Sequence, residues 1–516
     1  MRNRLSRRCF LRWAGAGTAV ALLPTLAARV PRAQLLGQTA GARGAHQTYF
    51  DRFGIGSGLL ERVLDRALAH GGDFSEIYLE HTISHWTGME DDQVNRAYSS
   101  VDLGAGIRIL KGDATGFAYC EDLTEQALLS AASTAAAVAD AERGVSGRAL
   151  QRERVVDHVP IDIDWAEVGV ERKLPIIERA NATIRARDAR IVKTNVFLAD
   201  VTKHILVATS EGRLVEDALP MCMIYAQCVA MENGRVETGG ASASQRHSIR
   251  YFRDTTIDRI ATRAADWTTM LFEAVPAPVG EMPVVLAPGN SAILLHEAIG
   301  HGMEADFNRK GISIYADRLG ARIAPRGVTI VDDGTCDRLG GTLNIDDEGE
   351  TSQRTLLVED GILRTYMHDR ISARHYGVAP TGSGRRQSFR YPPNPRMRNT
   401  YMASGSHDPR EIIASVKKGI YAEHVLNGEV AIGAGDFAFY LKHGRMIENG
   451  RLTHIIKDAN LIGNGPKVLE QMDMVGNDLA FYSGAGMCGK DGQGVPVGFG
   501  MPTVRAGGIS VGGRKA

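Results

Sequence analysis

Apolar and polar residues alternate along the first third of the chain in a way that predicts a small α+β unit. Strand-like alternation covers residues 74–81, 93–102 and 104–110, and a Lys111-Gly112-Asp113 turn leads into a further strand over 114–120. Helical spacing of apolar residues precedes this meander at 58–69 and follows it from Thr124, a residue type that caps helices, to about residue 141. We therefore predict an N-terminal α+β domain over residues 58–145.

The same mixture of helical and strand patterns recurs over residues 160–275, which we predict to be a central α+β domain. One long helical pattern covers about 165–187 and another covers about 254–273. Between them lie alternating strands around 191–198, 204–210 and 221–231, with a hairpin turn predicted at Asn233-Gly234.

The pattern changes from residue 282 onward. A short buried strand at 283–287 precedes an apolar helix, and beyond Gly311 short strands are separated by turn signals at Asp333-Gly334, Asp360-Gly361, Asn427-Gly428 and Asn449-Gly450. This predicts a C-terminal β-rich domain over 282–516 with one inserted helix. The predicted fold class is α+β: an N-terminal mixed α/β region of antiparallel strands and helices, then a mostly-β domain that carries the helix.

Length and composition agree with a multidomain globular protein. The chain has 516 residues, which is too many for one ordinary core, and 44% of them are apolar while 23% are charged.

The first residues have the pattern of an export signal. Five arginines precede an apolar run over 13–26 that is too short and too rich in Gly and Ala to span a membrane in the mature protein. The segment from Ser6 to Arg12 resembles the twin-arginine export box. We predict a signal peptide over 1–33, a linker over 34–57, an exported protein in the periplasm or another extracytoplasmic space, and no stable membrane anchor after cleavage. The alternative is a basic amphipathic anchor that stays attached.

Charge and cysteine content narrow the function classes. The 60 basic and 60 acidic residues become 53 and 60 when the seven arginines of residues 1–33 are removed, a net charge of about −7. No basic stripe follows, so nucleic acid is not an expected partner. Five cysteines remain after Cys9, and Cys222 and Cys228 lie too far apart on one strand to bridge each other, so at least one thiol is expected to be free.

The strongest candidate for chemistry is the run His296-Glu297-Ala298-Ile299-Gly300-His301. Two imidazoles can ligate Zn²⁺ while the glutamate deprotonates a water molecule. The histidines are five residues apart, however, and five positions on a regular α-helix leave two side chains roughly 140° apart. Two ligands for one metal therefore require a π-type bulge, or a helix end near Gly300 and Gly302 where backbone freedom lets His301 turn back. The alternative is an apolar helix with one buried histidine and one surface histidine.

Each of four further polar segments in the C-terminal half has two possible interpretations, one as a binding site and one as a structural feature. The acidic run Asn344 to Gly349 could bind a cation, but a solvated turn is favoured, and Thr381 to Arg386 could grip an anion or form a mobile surface loop. Pro393 to Tyr401 brings two arginines for binding or for structural ion pairs. Cys488 lies among glycines beside Lys490, which would favour the thiolate and suit a metal, or it is a small buried cysteine.

Taken together, these motifs resemble the TldD/PmbA family of metalloproteases, and in particular its catalytic TldD-type subunit. The resemblance runs from about residue 74 to 513 and is carried by 296–311, Asp346 to Gly349, Pro395 to Met397 with Asn399 and Thr400, Gly435 to Phe437, Val475 to Asp478 and Cys488 to Lys490. It implies zinc ligation by His296, His301 and Cys488, with Glu297 as the catalytic glutamate. It also implies a homodimer, or a heterodimer with a non-catalytic subunit of the family, that encloses the site. The export signal departs from the family's familiar members, which look cytosolic.

The resulting hypothesis is a zinc-dependent metallopeptidase that cleaves unfolded or extended peptides held at a strand edge. Four residues are candidates for a second oxyanion donor or a substrate contact: His368, Arg386, Tyr401 and His443. Two alternatives stay open. One is a peptide-binding maturation or scaffold subunit without hydrolysis, and the other is a thiol hydrolase that uses Cys488 with a histidine base.

Overall fold

The structure, a computed structural model, describes residues 48–137 and 146–513. The predicted signal peptide (1–33) and the first part of the predicted linker (34–47) lie outside these residues. Within them, no helix is both long enough and apolar enough to cross a membrane.

One seven-stranded sheet unites the first two predicted domains. Its strands are β1 (Phe74–Glu90), β2 (Gln93–Lys111), β3 (Ala114–Cys120), β4 (Gln151–Arg152), β5 (Ile191–Thr209), β6 (Arg213–Glu232) and β7 (Arg235–Gln245). They lie in the order β3-β2-β1-β5-β6-β7, with neighbours antiparallel, and β4 adds to β6 in parallel. The division between the N-terminal and central segments therefore runs between strands β1 and β5, which are hydrogen-bonded to each other.

The strands of this sheet are longer than the apolar pattern predicts. β1 and β2 continue to a tight turn at Asp91 and Asp92, which have φ angles of 48° and 68°, and β2 has no break near residue 103. The outer part of β2, from Gln93 to Val101, is solvent-exposed, so its polar residues give no signal of burial. The predicted turns at Gly112 and at Asn233-Gly234 are confirmed by their positive φ angles.

Four helices cover one face of the sheet: α1 (Ser57–Ala67), α2 (Glu125–Ala136), α3 (Val170–Arg187) and α4 (Asp254–Thr269). α1 and α2 pack in one apolar core with β1, β2 and β5, and α3 and α4 pack in a second core with β5, β6 and β7. The predicted cap at Thr124 is confirmed, because its hydroxyl accepts a hydrogen bond from the Ala127 amide. The last part of the predicted linker is packed against the domain. Tyr49–Phe53 forms a 3₁₀ turn, and the rings of Tyr49 and Phe50 are buried in the first core.

The C-terminal part is rich in strands, as predicted. Its strands are β8 (Val275–Pro276), β9 (Gly280–Leu286), β10 (Ile330–Asp333), β11 (Arg354–Glu359), β12 (Ile362–Leu363), β13 (Gly384–Arg385), β14 (Asn394–Pro395), β15 (Asn399–Met402), β16 (Lys418–Ala431), β17 (Asp436–Glu448), β18 (Arg451–Asn464), β19 (Met474–Val475), β20 (Ala480–Phe481), β21 (Gly486–Lys490), β22 (Gln493–Met501) and β23 (Val504–Gly513). Short helices lie between them: α5 (Ile293–Leu295), α6 (Ala305–Arg309), α7 (Arg370–Tyr376), α8 (Pro409–Ala414) and α9 (Gly465–Glu470).

β13 and β14 pair with each other, and the other strands form two large sheets around one apolar core. The first has the order β19-β23-β9-β16-β17-β18-β8, and β23 also pairs with β18, so the strands from β23 to β18 close on themselves. The second has the order β12-β11-β10-β15-β22-β20, with β21 paired to β22. Residues 290–303 lie between the sheets, and their apolar side chains belong to the shared core.

One predicted turn is wrong. Asn427-Gly428 lies inside β16 and pairs with β17. Gly428 is needed there because a Cβ atom at this position would overlap the ring of Phe439 on the neighbouring strand. The turns at Asp360-Gly361 and Asn449-Gly450 are confirmed, with positive φ at both residues of each pair.

The acidic run at 344–349 is buried, so the favoured interpretation as a solvated turn is wrong. Glu348 accepts a hydrogen bond from Arg108 Nη2 at 2.5 Å, and the same guanidinium binds Glu76 at 2.7 Å. Arg386 donates to Glu76 at 2.5 Å. We call Glu76, Arg108, Glu348 and Arg386 the interdomain charge network, since two members lie on the first sheet and two lie in the C-terminal part. The mobile-loop alternative for Thr381 to Arg386 is wrong as well, because Ser383, Arg385 and Arg386 are buried.

Candidate metal centre

The backbone at residues 293–303 changes its helical type twice within eleven residues. The single α-turn α5 is followed by a π-helical turn at His296–Gly300 and a 3₁₀ turn at His301–Met303. The wider π turn absorbs the extra residue of the five-residue spacing, so the two imidazole rings meet edge to face, with centroids 5.2 Å apart and planes at 79°. The predicted bulge is therefore present. A break at the glycines is not, since Gly300 has φ −59° and ψ −49°.

Cys488 completes a group of three possible metal ligands. It lies on β21, and its Sγ is 3.4 Å from Nε2 of His301. One donor atom each from His296, His301 and Cys488 lie within 4.8 Å of one another. All three residues are buried, with 2%, 4% and 1% of their surface exposed. The structure thus brings together the three residues that the family resemblance implies as zinc ligands.

The three donors fit a zinc ion by their chemistry. Imidazole nitrogen and thiolate sulfur are both zinc ligands, and three protein ligands leave a fourth coordination position for water or substrate. Neither ring nitrogen of His296 has a hydrogen-bond partner among the residues that the structure describes, although the ring is buried. A buried polar group without a partner is costly, and a metal ion would satisfy it.

Glu297 places a partly exposed carboxyl group beside the three possible metal ligands. Its side chain retains 21% exposure, and Oε2 lies 3.7 Å from Nε2 of His301. Burial raises the pKa of its carboxyl group, while the charges of His296 and His301 act in the opposite direction. A carboxyl group with a raised pKa beside three ligands is suited to accepting and returning a proton.

The pKa values of the Cys488 thiol and the His301 imidazole shift in opposite directions. Burial alone would raise the pKa of the Cys488 thiol, but His301 and His296 outweigh it and hold that pKa well below its ordinary value. Burial alone would lower the pKa of His301, but Glu304 and Cys488 outweigh it and raise that pKa. Each shift favours the charged form of its own group, and an imidazolium ring has to lose a proton before it can bind a metal.

Lys490, predicted to favour the thiolate, has other partners. Its ammonium group binds Asp306 Oδ1 at 2.7 Å, the Pro395 carbonyl at 3.0 Å and Glu304 Oε2 at 3.1 Å. The ammonium group is thus engaged by two buried carboxylates that lie far away in the sequence, while His301 and His296 lower the pKa of the Cys488 thiol.

Glu304 is the residue of this site to which the sequence assigned no role. It is fully buried, and its Oε2 accepts a hydrogen bond from Nδ1 of His301 at 3.0 Å. Burial alone would raise the pKa of Glu304, but Lys490 and His301 outweigh it and lower that pKa to about 2. The one available signal was its position three residues after His301, which places two side chains on the same face of a helical turn.

The four candidate oxyanion donors or substrate contacts do not touch the three possible metal ligands. His368 lies beside Thr365 and Tyr376, and Arg386 belongs to the interdomain charge network. Tyr401 packs on Phe481, and His443 packs on Trp267 and His424. Across residues 48–137 and 146–513, no hydrogen bond, ion pair or ring contact joins any of these four to His296, Glu297, His301 or Cys488. Their role in catalysis stays a prediction.

The five cysteines of the described chain are free, which agrees with the prediction of at least one free thiol.

Comparison with known proteins gives one consistent result. Three domain families match the chain in order: PmbA/TldA metallopeptidase domain 1 over residues 75–139, the PmbA/TldA metallopeptidase central domain over 163–270, and the PmbA/TldA metallopeptidase C-terminal domain over 279–513.

Relatives match over most of their length. The metalloprotease TldD homolog of Haemophilus influenzae is 36% identical over 448 residues, which cover 86% of this chain and 93% of the relative. The TldD homolog of Buchnera aphidicola subsp. Acyrthosiphon pisum is 35% identical over 462 residues, 88% of this chain and 95% of the relative. The crystal structure of TldE from Thermococcus kodakarensis superimposes with a TM-score of 0.70 at 18% identity, covering 88% of this chain and all of that one. This last likeness shows a shared fold.

Proposed function

Because the chain belongs to the PmbA/TldD family of metallopeptidases, we propose that it is a zinc-dependent protease that hydrolyses peptide bonds in unfolded or extended peptides. The observation that carries the proposal is the convergence of His296, His301 and Cys488 on one point, with the partly exposed carboxylate of Glu297 beside them.

The division of labour follows from the positions of these side chains. His296, His301 and Cys488 would hold zinc, which when bound lowers the pKa of water and polarises a carbonyl group. Glu297 would orient the attacking water, accept its proton on a carboxylate oxygen, and return that proton to the leaving amine. Its raised pKa helps this task, because a more basic carboxylate takes a proton more readily.

The proposal extends to substrate and partners. We infer that the substrate is an extended chain bound through its main-chain groups, which gives broad sequence tolerance. The family relationship and the fold shared with TldE support pairing with a second subunit, either a copy of this chain or a non-catalytic member of the family. The twin-arginine pattern in residues 1–33 supports export to the periplasm or another extracytoplasmic space.

The central experiment measures metal content and cleavage on the same purified protein. We expect about one zinc per chain in the wild type and in Glu297→Gln, and loss of zinc in Cys488→Ser. Cleavage of an unfolded peptide library should fall about 10²- to 10⁴-fold in Glu297→Gln, the usual contribution of a general acid–base group. Undiminished cleavage by this variant would exclude the proposed role of Glu297.

One observation favours a second candidate function. The contact of 3.4 Å between Cys488 Sγ and His301 Nε2 also fits a thiolate nucleophile with a histidine base. A thiol hydrolase keeps its activity in a chelator and loses it with a thiol-alkylating reagent, whereas the zinc enzyme loses its activity in the chelator and regains it with added zinc.

The maturation or scaffold alternative is tested by Glu297→Gln. If the chain is a peptide-binding subunit without hydrolysis, Glu297→Gln binds the unfolded library as tightly as the wild type does. Neither the wild type nor the variant then cleaves the library.

A further inference from the structure

We propose that Glu304 and Lys490 form a positioning pair that aims the ligand nitrogen of His301 and fixes the strand of Cys488 against it. The inference rests on the proposed zinc site and concerns residues that do not touch the metal. Its test is a metal affinity, so it can be judged separately from proteolysis.

Glu304 determines which nitrogen of His301 faces the other ligands. Its Oε2 accepts the hydrogen bond from Nδ1 at 3.0 Å, while Nε2 on the other side of the ring lies 3.4 Å from Cys488 Sγ. A neutral imidazole that donates from Nδ1 carries its lone pair on Nε2. The buried carboxylate therefore selects the tautomer and the ring orientation that a metal between His301 and Cys488 requires.

Lys490 joins the two parts of the chain that carry these ligands. It lies two residues after Cys488 on β21, and both side chains are buried on the same side of that strand. Its ammonium group binds Glu304 at 3.1 Å and Asp306 at 2.7 Å, both in the segment that follows His301. The pairs Cys488–His301 and Lys490–Glu304 thus hold the same two segments together at adjacent points.

The backbone of Cys488 is held from the same direction. Arg396 donates a hydrogen bond from Nη2 to the Cys488 carbonyl, and its Nε lies 4.0 Å from Glu304 Oε1. Two cations therefore compensate the charge of Glu304: Lys490 lies on the strand of Cys488, and Arg396 binds the Cys488 carbonyl. A buried carboxylate with such partners keeps its charge and its place.

The chain offers a matched control for a buried carboxylate between a histidine and a lysine. Asp200 on β5 accepts from His85 Nδ1 at 2.7 Å and from Lys173 Nζ at 2.5 Å, and it is 3% exposed where Glu304 is 0% exposed. It belongs to the first sheet, which contains none of the three ligands. Asp200→Asn therefore measures how much the loss of such a buried carboxylate destabilises the fold when the candidate metal centre is unchanged.

The experiment measures the zinc dissociation constant of the purified full chain by competition with a chromophoric chelator. We expect Glu304→Gln and Lys490→Met each to weaken zinc binding about 10- to 100-fold, the usual effect of removing a group that orients a ligand. If Lys490 acts through Glu304, the double variant binds zinc no more than a few-fold more weakly than Glu304→Gln. Asp200→Asn keeps the wild-type zinc affinity.

Cobalt substitution supplies a readout of geometry. The charge-transfer absorption from thiolate to Co²⁺ depends on the sulfur–metal contact, so we expect its wavelength or intensity to change in Glu304→Gln and Lys490→Met and to stay unchanged in Asp200→Asn. Circular dichroism shows whether each variant is folded, and Glu304→Gln alone decides the question if Lys490→Met does not fold.

Three results would overturn the positioning pair. One is wild-type zinc affinity in Glu304→Gln, another is a double variant whose loss equals the product of the single losses, and the third is an equal loss of affinity in Asp200→Asn. A protein that binds zinc with these predicted differences but cleaves no peptide refutes the proposed protease and leaves the positioning pair intact. A wild-type chain that binds no zinc refutes both.

Discussion

Gly300 closes the π-helical turn, and the space at its α-carbon is occupied by Met397. A Cβ atom at residue 300 would overlap the Met397 sulfur, and Met397 is fully buried in the core around the metal centre. The backbone of Gly300 is right-handed, so an alanine is excluded here by packing and not by conformation.

We predict that Gly300→Ala lowers the free energy of unfolding by about 1–3 kcal/mol, because overpacking forces Met397 from its place. Met397→Ala alone should cost about 2–5 kcal/mol through the cavity it leaves. The double variant should cost less than the sum of the two, since the new methyl group enters that cavity. Chemical denaturation of the four proteins measures the coupling.

Gly489→Ala provides the control for this cycle, because a Cβ atom at residue 489 would meet no atom within 4 Å. Strict additivity of Gly300→Ala and Met397→Ala would contradict the packing explanation.

The functional residues of the site could be predicted from the sequence to the extent that their chemistry is local. The spacing of His296, Glu297 and His301 indicates both a metal and an irregular helix, and the resemblance to the family adds Cys488. Glu304 and the true partners of Lys490 could not be predicted. Lys490 and its carboxylate Asp306 lie 184 residues apart, and nothing in the local sequence of either indicates the other.

At the scale of single elements, helix α4 meets the C-terminal part at a pair of buried histidines. The Trp267 ring packs on His424 and His443 with centroid distances of 4.4 and 5.1 Å. Burial lowers the pKa of His424 to about 3, and the positive charges of His443, Lys442 and Arg263 act in the same direction. The His424 ring is therefore neutral in the folded protein over a range in which the unfolded chain takes up a proton.

The sign of the resulting pH dependence follows from proton binding. Because the unfolded state binds more protons than the folded state between about pH 6.5 and pH 3, stability falls as the pH falls through this range. One group contributes a slope of up to about 1.4 kcal/mol per pH unit. We predict that His424→Phe, which keeps an aromatic contact for Trp267, removes a slope of this size.

Urea denaturation of wild type and His424→Phe at several pH values between 7 and 4, with chelator present throughout, measures the difference. Parallel stability curves for the two proteins would show that His424 does not contribute.

The ends of helices and strands could be predicted where a cap, a turn residue or a change in burial marks them in the local sequence. They could not be predicted elsewhere. The cap at Thr124 and the turns at Asn233-Gly234 and Asn449-Gly450 carry their own local signals. The outer half of β2 is held by pairing with β1 although its residues are exposed, so no apolar alternation marks it. Asn427-Gly428 has the composition of a turn but serves a close contact between strands.

For the whole molecule, the interdomain charge network joins the first sheet to the C-terminal part through fully buried groups. Arg108→Met would leave Glu76 and Glu348 without their shared guanidinium. We predict a loss of about 3–5 kcal/mol in the free energy of unfolding, because removing one partner leaves buried charge uncompensated.

The exposed pair Arg62 and Glu125 is the control, since the Arg62 side chain is 55% exposed. Arg62→Met should change stability by no more than about 1 kcal/mol. Chemical denaturation of both variants tests the prediction, and similar losses in the two would show that burial of the network adds nothing.

The fold class and the β-rich C-terminal part could be predicted from patterns along the chain. The sheet that unites the first two predicted domains could not, because its central pairing joins β1 to β5 across more than a hundred residues. The interdomain charge network escaped prediction for the same reason: Arg386 and Glu76 are 310 residues apart, and an acidic run looks alike in sequence whether it is solvated or buried.

The distance along the chain between the predicted ligands has a consequence for the time at which the proposed zinc site can form. Cys488 follows His301 by 187 residues, and strand β9, which leads to the first histidine, pairs with β23, which follows Cys488 in the chain. A ribosome that adds 5–20 residues per second needs about 10–40 s to pass from one ligand to the other. Throughout that interval the nascent chain has two of the three predicted ligands, so the donor set of the proposed zinc site can be complete only after Cys488 has been added.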